Sequence, residues 1–159
     1  MTSNIKLVEA FKSFLEREHY DLWISITFRK PTSTIIAKHE FRRFFQHLNT
    51  PDKQYYVNFI RGHVFYEKED DRKGVHIHSI LKGIDLSLAS ELETECNHYF
   101  GDTKIKDVHE DVIPYLAVKY NSYKLEDFER FCINSRYRLK KSHKTTPSAK
   151  TMSKRILIR

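Results

Sequence analysis

Apolar residues recur along this chain at two different spacings, and turn-forming residues lie between the segments that show them. Spacings of three and four residues predict helices, which are expected over residues 4–18, 34–47, 87–100, 111–123 and 125–133. Short apolar or alternating runs predict strands, which are expected over residues 21–29, 55–69, 74–83 and 103–109. The polar turn between the second and third strands predicts an antiparallel hairpin.

The order of these elements predicts an α+β fold, with helices mainly on one face of an antiparallel sheet. A length of 159 residues is enough for one domain with a proper core. We expect this domain to span residues 1–140, followed by a basic, flexible tail over residues 141–159.

Composition narrows the class of protein. No apolar run approaches the roughly 18 residues of a membrane span, and the first residues contain no secretory signal. The only cysteines, Cys96 and Cys132, have no metal-like spacing. We therefore expect a cytoplasmic protein with reduced thiols and no membrane partner.

The net charge of +7 is unevenly distributed. Residues 136–159 contain nine Lys or Arg and no acidic residue, which leaves 19 basic and 21 acidic residues in 1–135. This basic C-terminal segment therefore has two interpretations of equal weight. It attracts nucleic acid non-specifically, or it keeps the protein in solution. For the first interpretation, the basic residues expected along a DNA backbone are Lys124, Arg136, Arg138, Lys140 and Lys141.

The most informative motif is a pair of histidines, His76 and His78, in the predicted strand over 74–83. Side chains alternate along a strand, so the two imidazoles share one face. Two neutral imidazoles side by side form half of a divalent-metal site. Without further ligands, two half-exposed histidines are the simpler interpretation.

A carboxylate on the partner strand would complete such a site, and Glu67 and Glu69 are the candidates. Glu67 lies opposite one of the histidines in both hairpin registers that point a carboxylate at the metal, whereas Glu69 does so in only one. Glu67 is therefore the preferred ligand and Glu69 the alternative.

Downstream, Tyr115 and Lys119 are four residues apart on the predicted helix over 111–123, so they share a face. A phenol beside an ammonium and a metal suits attack on a phosphodiester. Tyr120 is an alternative nucleophile, but it lies about 140° around the helix from Tyr115, so both cannot face one site.

These motifs together resemble the HUH endonucleases, and most closely the replication initiators of rolling-circle plasmids and single-stranded DNA viruses. The resemblance covers residues 21–124 and rests on Leu22–Phe28, Val64–Glu67, His76–His78 and Tyr115–Tyr120. The last motif departs from the common pattern, because one extra residue separates Tyr115 from Lys119, which Tyr120 follows directly. This departure keeps Tyr120 open as the nucleophile.

The resemblance implies a ferredoxin-like sheet whose central hairpin carries the histidine pair. It implies Mn²⁺ or Mg²⁺ as cofactor and a single-stranded DNA nicking and joining reaction through a 5′-phosphotyrosine that initiates rolling-circle replication. Tyr115 would be the nucleophile, and Lys119 would position the phosphate. The implied partners are single-stranded DNA or an origin hairpin, with a host helicase and polymerase. A relaxase, a single-tyrosine transposase and a non-catalytic DNA-binding regulator are the alternatives.

Overall fold

The chain forms an α+β fold around one five-stranded antiparallel sheet, within the residues that the computed structural model describes, 2–68, 74–120 and 128–134. The strands are β1 (Leu22–Phe28), β2 (Phe59–Lys68), β3 (Val75–Lys82), β4 (Gly101–Asp107) and β5 (Phe128–Asn134). Their spatial order is β4-β1-β3-β2-β5, which makes β3 the central strand. The expected antiparallel sheet and the β2–β3 pair are confirmed.

Four α-helices accompany the sheet in the described part of the chain: α1 (Thr2–Leu15), α2 (Thr34–Gln46), α3 (Ala89–Tyr99) and α4 (Val112–Tyr120). A short 3₁₀ turn, Leu86–Leu88, leads into α3. Ser33 caps α2 by accepting a hydrogen bond from the Ile36 amide at 3.3 Å, which ends the preceding loop and begins the helix.

Helices cover both faces of the sheet, so the expected arrangement with helices mainly on one face is wrong. One core joins α2 and α3 to the sheet through buried residues such as Phe41 and Leu92. A second core joins α1 and α4 to the opposite face through Leu15 and Leu116. The physical reason is that the inner strands are apolar on both faces. For example, β3 buries Ile77 in the first core and Ile80 in the second, and both sides need a cover.

The segment expected to form a helix over residues 125–133 contains a strand instead. β5 pairs along the outer edge of β2, and Phe131 and Ile133 alternate into the core beside α2 while Phe128 packs on the α1 side. A seven-residue apolar pattern fits the spacing of either a helix or a strand. The strand forms because its pairing satisfies the backbone groups at the open edge of β2.

The strand expected from residue 55 begins only at Phe59. Asn49 explains the difference, because its buried side chain binds the chain just before the strand. Its amide donates to the Tyr56 carbonyl at 2.7 Å, and its carbonyl accepts from the Tyr55 amide at 2.8 Å. These bonds hold the aromatic pair in a loop whose rings are buried.

A close approach between β2 and β3 occurs at Gly62, which pairs with Leu81. A Cβ atom at this position would overlap the carbonyl oxygen of Ile80 on the neighbouring strand. Only glycine therefore permits this pairing distance, and the hairpin that carries the histidine pair depends on it.

His63 lies on the same face of β2 as Glu67, and it belongs to the core under α1. Its imidazole is 5% exposed, stacks on Phe128 and lies 2.9 Å from the Tyr20 hydroxyl through Nδ1. Burial lowers the pKa of His63 from 6.5 to about 4; the Glu18 carboxylate opposes this decrease, and the Arg130 guanidinium adds to it. This histidine is therefore neutral at physiological pH.

This burial predicts a specific acid sensitivity of the fold. The unfolded chain binds a proton at His63 near pH 6.5 and the folded chain only near pH 4, so unfolding free energy falls as pH decreases through this window. At about 1.4 kcal/mol per pH unit, the loss is at most about 3 kcal/mol. Urea denaturation from pH 7 to pH 4 should show this decrease in the wild type and a smaller one in His63→Gln. The exposed His98→Gln variant should behave like the wild type, and an unchanged slope in His63→Gln would contradict the assignment.

Candidate active site

The paired histidines lie on central strand β3 and face the side of the sheet covered by α1 and α4. His76 and His78 are half-buried, and their ring centroids are 6.2 Å apart. Each Nδ1 atom contacts a hydroxyl of neighbouring strand β1. Ser25 Oγ is 3.0 Å from Nδ1 of His78, and Thr27 Oγ1 is 3.1 Å from Nδ1 of His76. The sequence therefore brings four polar side chains onto one patch of the sheet.

Glu67 reaches the same patch from β2, on the other side of β3. It pairs directly opposite His76, as one of the two expected registers requires. Its Oε2 atom lies 3.0 Å from Nε2 of His78. This hydrogen bond is the main cause that lowers the pKa of Glu67 from 4.5 to about 2; burial opposes it, and Lys119 adds to the decrease. Glu67 is therefore an ionised acceptor at neutral pH.

Helix α4 brings Tyr115 and Lys119 to this carboxylate. The helix is anchored by Val112 and Leu116, which are buried against α1 and the sheet. The Lys119 Nζ atom donates to the Tyr115 hydroxyl at 3.0 Å and contacts Glu67 Oε1 at 3.1 Å. The sequence-predicted phenol, ammonium, carboxylate and imidazole thus form one connected chain of contacts.

The electrostatics of this chain keep Lys119 positively charged. Burial alone would lower the pKa of Lys119, but the hydrogen bonds to Tyr115 and Glu67 outweigh it and raise the pKa. The ammonium therefore acts as a fixed positive charge beside the phenol, rather than as a base. Tyr115 itself is 49% exposed, which leaves its ring accessible to a large substrate.

Trp23 of β1 is a site residue that sequence reasoning did not single out. Its ring stacks on His78 with centroids 5.4 Å apart and planes 15° apart, and it meets the Tyr115 ring edge-on at 6.3 Å. Ser25 and Thr27 were likewise missed. The available signal was the strand parity of β1, which places residues 23, 25 and 27 on one face. Parity alone does not reveal that this face adjoins the histidines.

Several predicted site residues lie outside the described residues and stay predictions. The alternative ligand Glu69 is one, and nothing is described of the Tyr120 side chain. The basic residues proposed to follow DNA are the others: Lys124, Arg136, Arg138, Lys140 and Lys141.

The donor set suits a divalent cation in chemistry and, in part, in spacing. Neighbouring ligands of an octahedral cation with bonds of about 2.1 Å are about 3.0 Å apart, and the His78 Nε2 to Glu67 Oε2 distance is 3.0 Å. The Nδ1 contacts from β1 leave Nε2 as the natural ligand atom of each ring. Yet no group of three His, Cys, Asp or Glu side chains in residues 2–68, 74–120 and 128–134 already converges as a metal site.

Comparison with known proteins gives no family for this chain. No family model matches it, and no curated protein or solved structure shows significant similarity to it. Among the described helices, none combines the length and apolar character needed to cross a membrane.

The contact geometry predicts how Glu67 responds to the loss of each partner. His78→Ala and Lys119→Met should each raise the pKa of Glu67, because each removes a hydrogen bond that lowers it, and the imidazole bond is the larger of these two causes. Carboxylate ¹³C chemical shifts followed through a pH titration measure this directly. Lys104→Met, which removes an exposed lysine that pairs with Asp102, should leave the Glu67 pKa unchanged. The unfolding free energy of Lys119→Met should change by less than about 1 kcal/mol, as for other solvent-accessible ion pairs. A Glu67 pKa that stays at the wild-type value in His78→Ala would contradict this geometry.

Proposed function

We propose that this protein is a metal-dependent endonuclease that nicks and rejoins single-stranded DNA through a 5′-phosphotyrosine and initiates rolling-circle replication. The observation that carries the proposal is the contact of Lys119 with both Tyr115 and Glu67, at 3.0 and 3.1 Å. It joins a candidate nucleophile on one helix to the histidine pair on the central strand. The resemblance of the motifs to HUH replication initiators supports the same function.

A ferredoxin-like sheet is part of this proposal. Its support is the strand order β4-β1-β3-β2. Helix α2 connects β1 to β2, and these two strands lie on either side of β3. That arrangement exposes the β3 histidines between two strands that each supply polar partners. A cytoplasmic location and DNA partners belong to the same proposal.

In the proposed reaction, Tyr115 supplies the nucleophilic oxygen. The phenol gives up its proton to water, its oxygen forms a bond to phosphorus, and the bond from phosphorus to the 3′ oxygen breaks. The leaving oxygen takes up a proton and becomes a 3′-hydroxyl. Because the phosphotyrosine retains a phosphodiester, attack by a 3′-hydroxyl reverses the step and rejoins the strand.

The charged residues divide the remaining tasks. Lys119 offsets negative charge on the tyrosine oxygen and on the phosphate, because its raised pKa keeps it protonated. Glu67, His76 and His78 would hold Mn²⁺ or Mg²⁺, which supplies Lewis-acid stabilisation of charge on the scissile phosphate. Trp23 restricts both the His78 ring and the Tyr115 ring by direct contact.

A non-cleaving DNA-binding role is the second candidate. It is favoured by the pairing of Glu67 with His78 and Lys119, since the carboxylate is satisfied by protein groups alone. Such a protein would bind DNA without forming an adduct, so cleavage assays separate the two candidates. A relaxase or a transposase would share the chemistry and differ in the DNA that it recognises.

The nucleophile assignment predicts opposite outcomes for two matched variants. Tyr115→Phe removes one hydroxyl and should reduce nicking of single-stranded DNA by about a thousandfold or more while the fold persists. Tyr120→Phe, the same substitution five residues away, should retain substantial activity. Gel analysis of end-labelled oligonucleotides in Mn²⁺ measures both. An inactive Tyr120→Phe beside an active Tyr115→Phe would reassign the nucleophile, and inactivity of the wild type would favour the binding role.

The ligand assignment predicts a graded loss of Mn²⁺ binding. The double variant His76→Ala/His78→Ala should lose binding measured by calorimetry, because two of three protein ligands are gone. Glu67→Ala should weaken binding more than Glu69→Ala does. His98→Ala on α3 is the control and should bind as the wild type. Undiminished Mn²⁺ affinity in the double variant would exclude this site.

A further inference from the structure

Strand β1 places three successive side chains of one face against the histidine pair. In the β1–β3 register, Ser25 lies opposite His78 and Thr27 opposite His76, while Trp23 lies opposite Ile80, two residue pairs beyond Ser25. Each hydroxyl contacts the Nδ1 atom of the histidine directly opposite. We propose that Ser25 and Thr27 are positioning residues that fix the orientation of both imidazoles and present both Nε2 atoms to the Glu67 side of the sheet.

The argument begins with the freedom of an imidazole ring. When the ring rotates by 180° about its bond to Cβ, each ring nitrogen exchanges its position with a ring carbon. An unrestrained histidine therefore presents Nε2 to a given site only part of the time. A hydroxyl 3.0 Å from Nδ1 favours one ring orientation, because the rotated ring would lose that hydrogen bond. For His78 the stacked Trp23 ring further limits rotation, since the two planes are only 15° apart.

The chemistry of a hydroxyl fits this task better than that of a carboxylate or an ammonium. The Glu67 carboxylate accepts from the Lys119 ammonium at 3.1 Å and from His78, so Nε2 of His78 carries the hydrogen in their 3.0 Å contact. Nδ1 of a neutral His78 then accepts from the Ser25 hydroxyl. If Nε2 instead binds a cation, Nδ1 carries the hydrogen and the same hydroxyl accepts it. Ser25 therefore supports both tautomers without moving.

The two strands repeat the arrangement, and this repetition is the second line of support. The Ser25–His78 pair and the Thr27–His76 pair lie two residues apart along the strands. Both pairs form the same contact between a hydroxyl and Nδ1, at 3.0 and 3.1 Å. Both rings are thereby tied on their β1 side, and Glu67 approaches from β2 on the other side. The ring orientation follows from the protein alone, whereas its use in holding a cation rests on the proposed function.

The first test uses the metal-free protein and does not depend on cleavage. Long-range ¹H–¹⁵N spectra of histidine-labelled protein report the tautomer and hydrogen bonding of each ring. Ser25→Ala should shift the His78 nitrogens toward values of an unrestrained imidazole and leave His76 unchanged. Thr27→Val, which keeps the shape of threonine and suits a strand, should do the reverse. The hydroxyl-retaining variants Ser25→Thr and Thr27→Ser should preserve the wild-type pattern.

Ser79→Ala is the matched control, because Ser79 follows His78 on the same strand and points to the opposite face. It should shift neither ring beyond the change expected for a neighbouring residue. Unchanged spectra in Ser25→Ala and Thr27→Val would overturn the proposal. Equal shifts in Ser79→Ala would also overturn it, because they would show a general distortion of β3.

The second test measures Mn²⁺ affinity by calorimetry on the same variants. Ser25→Ala and Thr27→Val should each weaken binding by about 10- to 100-fold, the range typical for residues that orient metal-binding histidines. Ser25→Thr and Thr27→Ser should remain within about threefold of the wild type. Wild-type affinity in the variants without a hydroxyl would overturn the proposed use of these residues. Absence of Mn²⁺ binding in the wild type would refute the proposed function instead, and the spectra would still decide the ring orientation.

Discussion

The register between β2 and β3 is the constraint on which the site depends. Side chains alternate along a strand, so a slip of one residue would turn Glu67 away from the histidines and toward the core on the other face. The observed register pairs Glu67 with His76 and brings it within 3.0 Å of His78. Gly62 helps to hold this register, because only a residue without a side chain fits against the Ile80 carbonyl.

The position of α4 follows from the same sheet. Val112 and Leu116 pack in the core that β3 shares with α1, and this packing turns Tyr115 and Lys119 toward Glu67. A covered second face is therefore a requirement of the site rather than an incidental feature. A sheet with helices on one face would leave the histidine patch without a partner helix.

Much of this arrangement could be predicted from sequence, because it depends on local periodicity. The strand of His76 and His78, the preference for Glu67 and the helix of Tyr115 all follow from spacing within a few residues. The strand at residues 128–134 could not be predicted, because its pairing with β2 depends on an edge distant in sequence. The hydroxyls of Ser25 and Thr27 were missed for the same reason: their partners lie about 50 residues away, beyond what spacing along the chain conveys.

Mass spectrometry of the adduct is the most direct test of the central claim, that the tyrosine of α4 and the patch on the sheet form one active site. The full chain would be incubated with random single-stranded oligonucleotides and Mn²⁺, digested, and searched for a peptide that carries a nucleotide. The account predicts a phosphodiester-linked nucleotide on Tyr115, formed only when His76 and His78 are intact. An adduct on another residue, or one that persists in His76→Ala/His78→Ala, would contradict it.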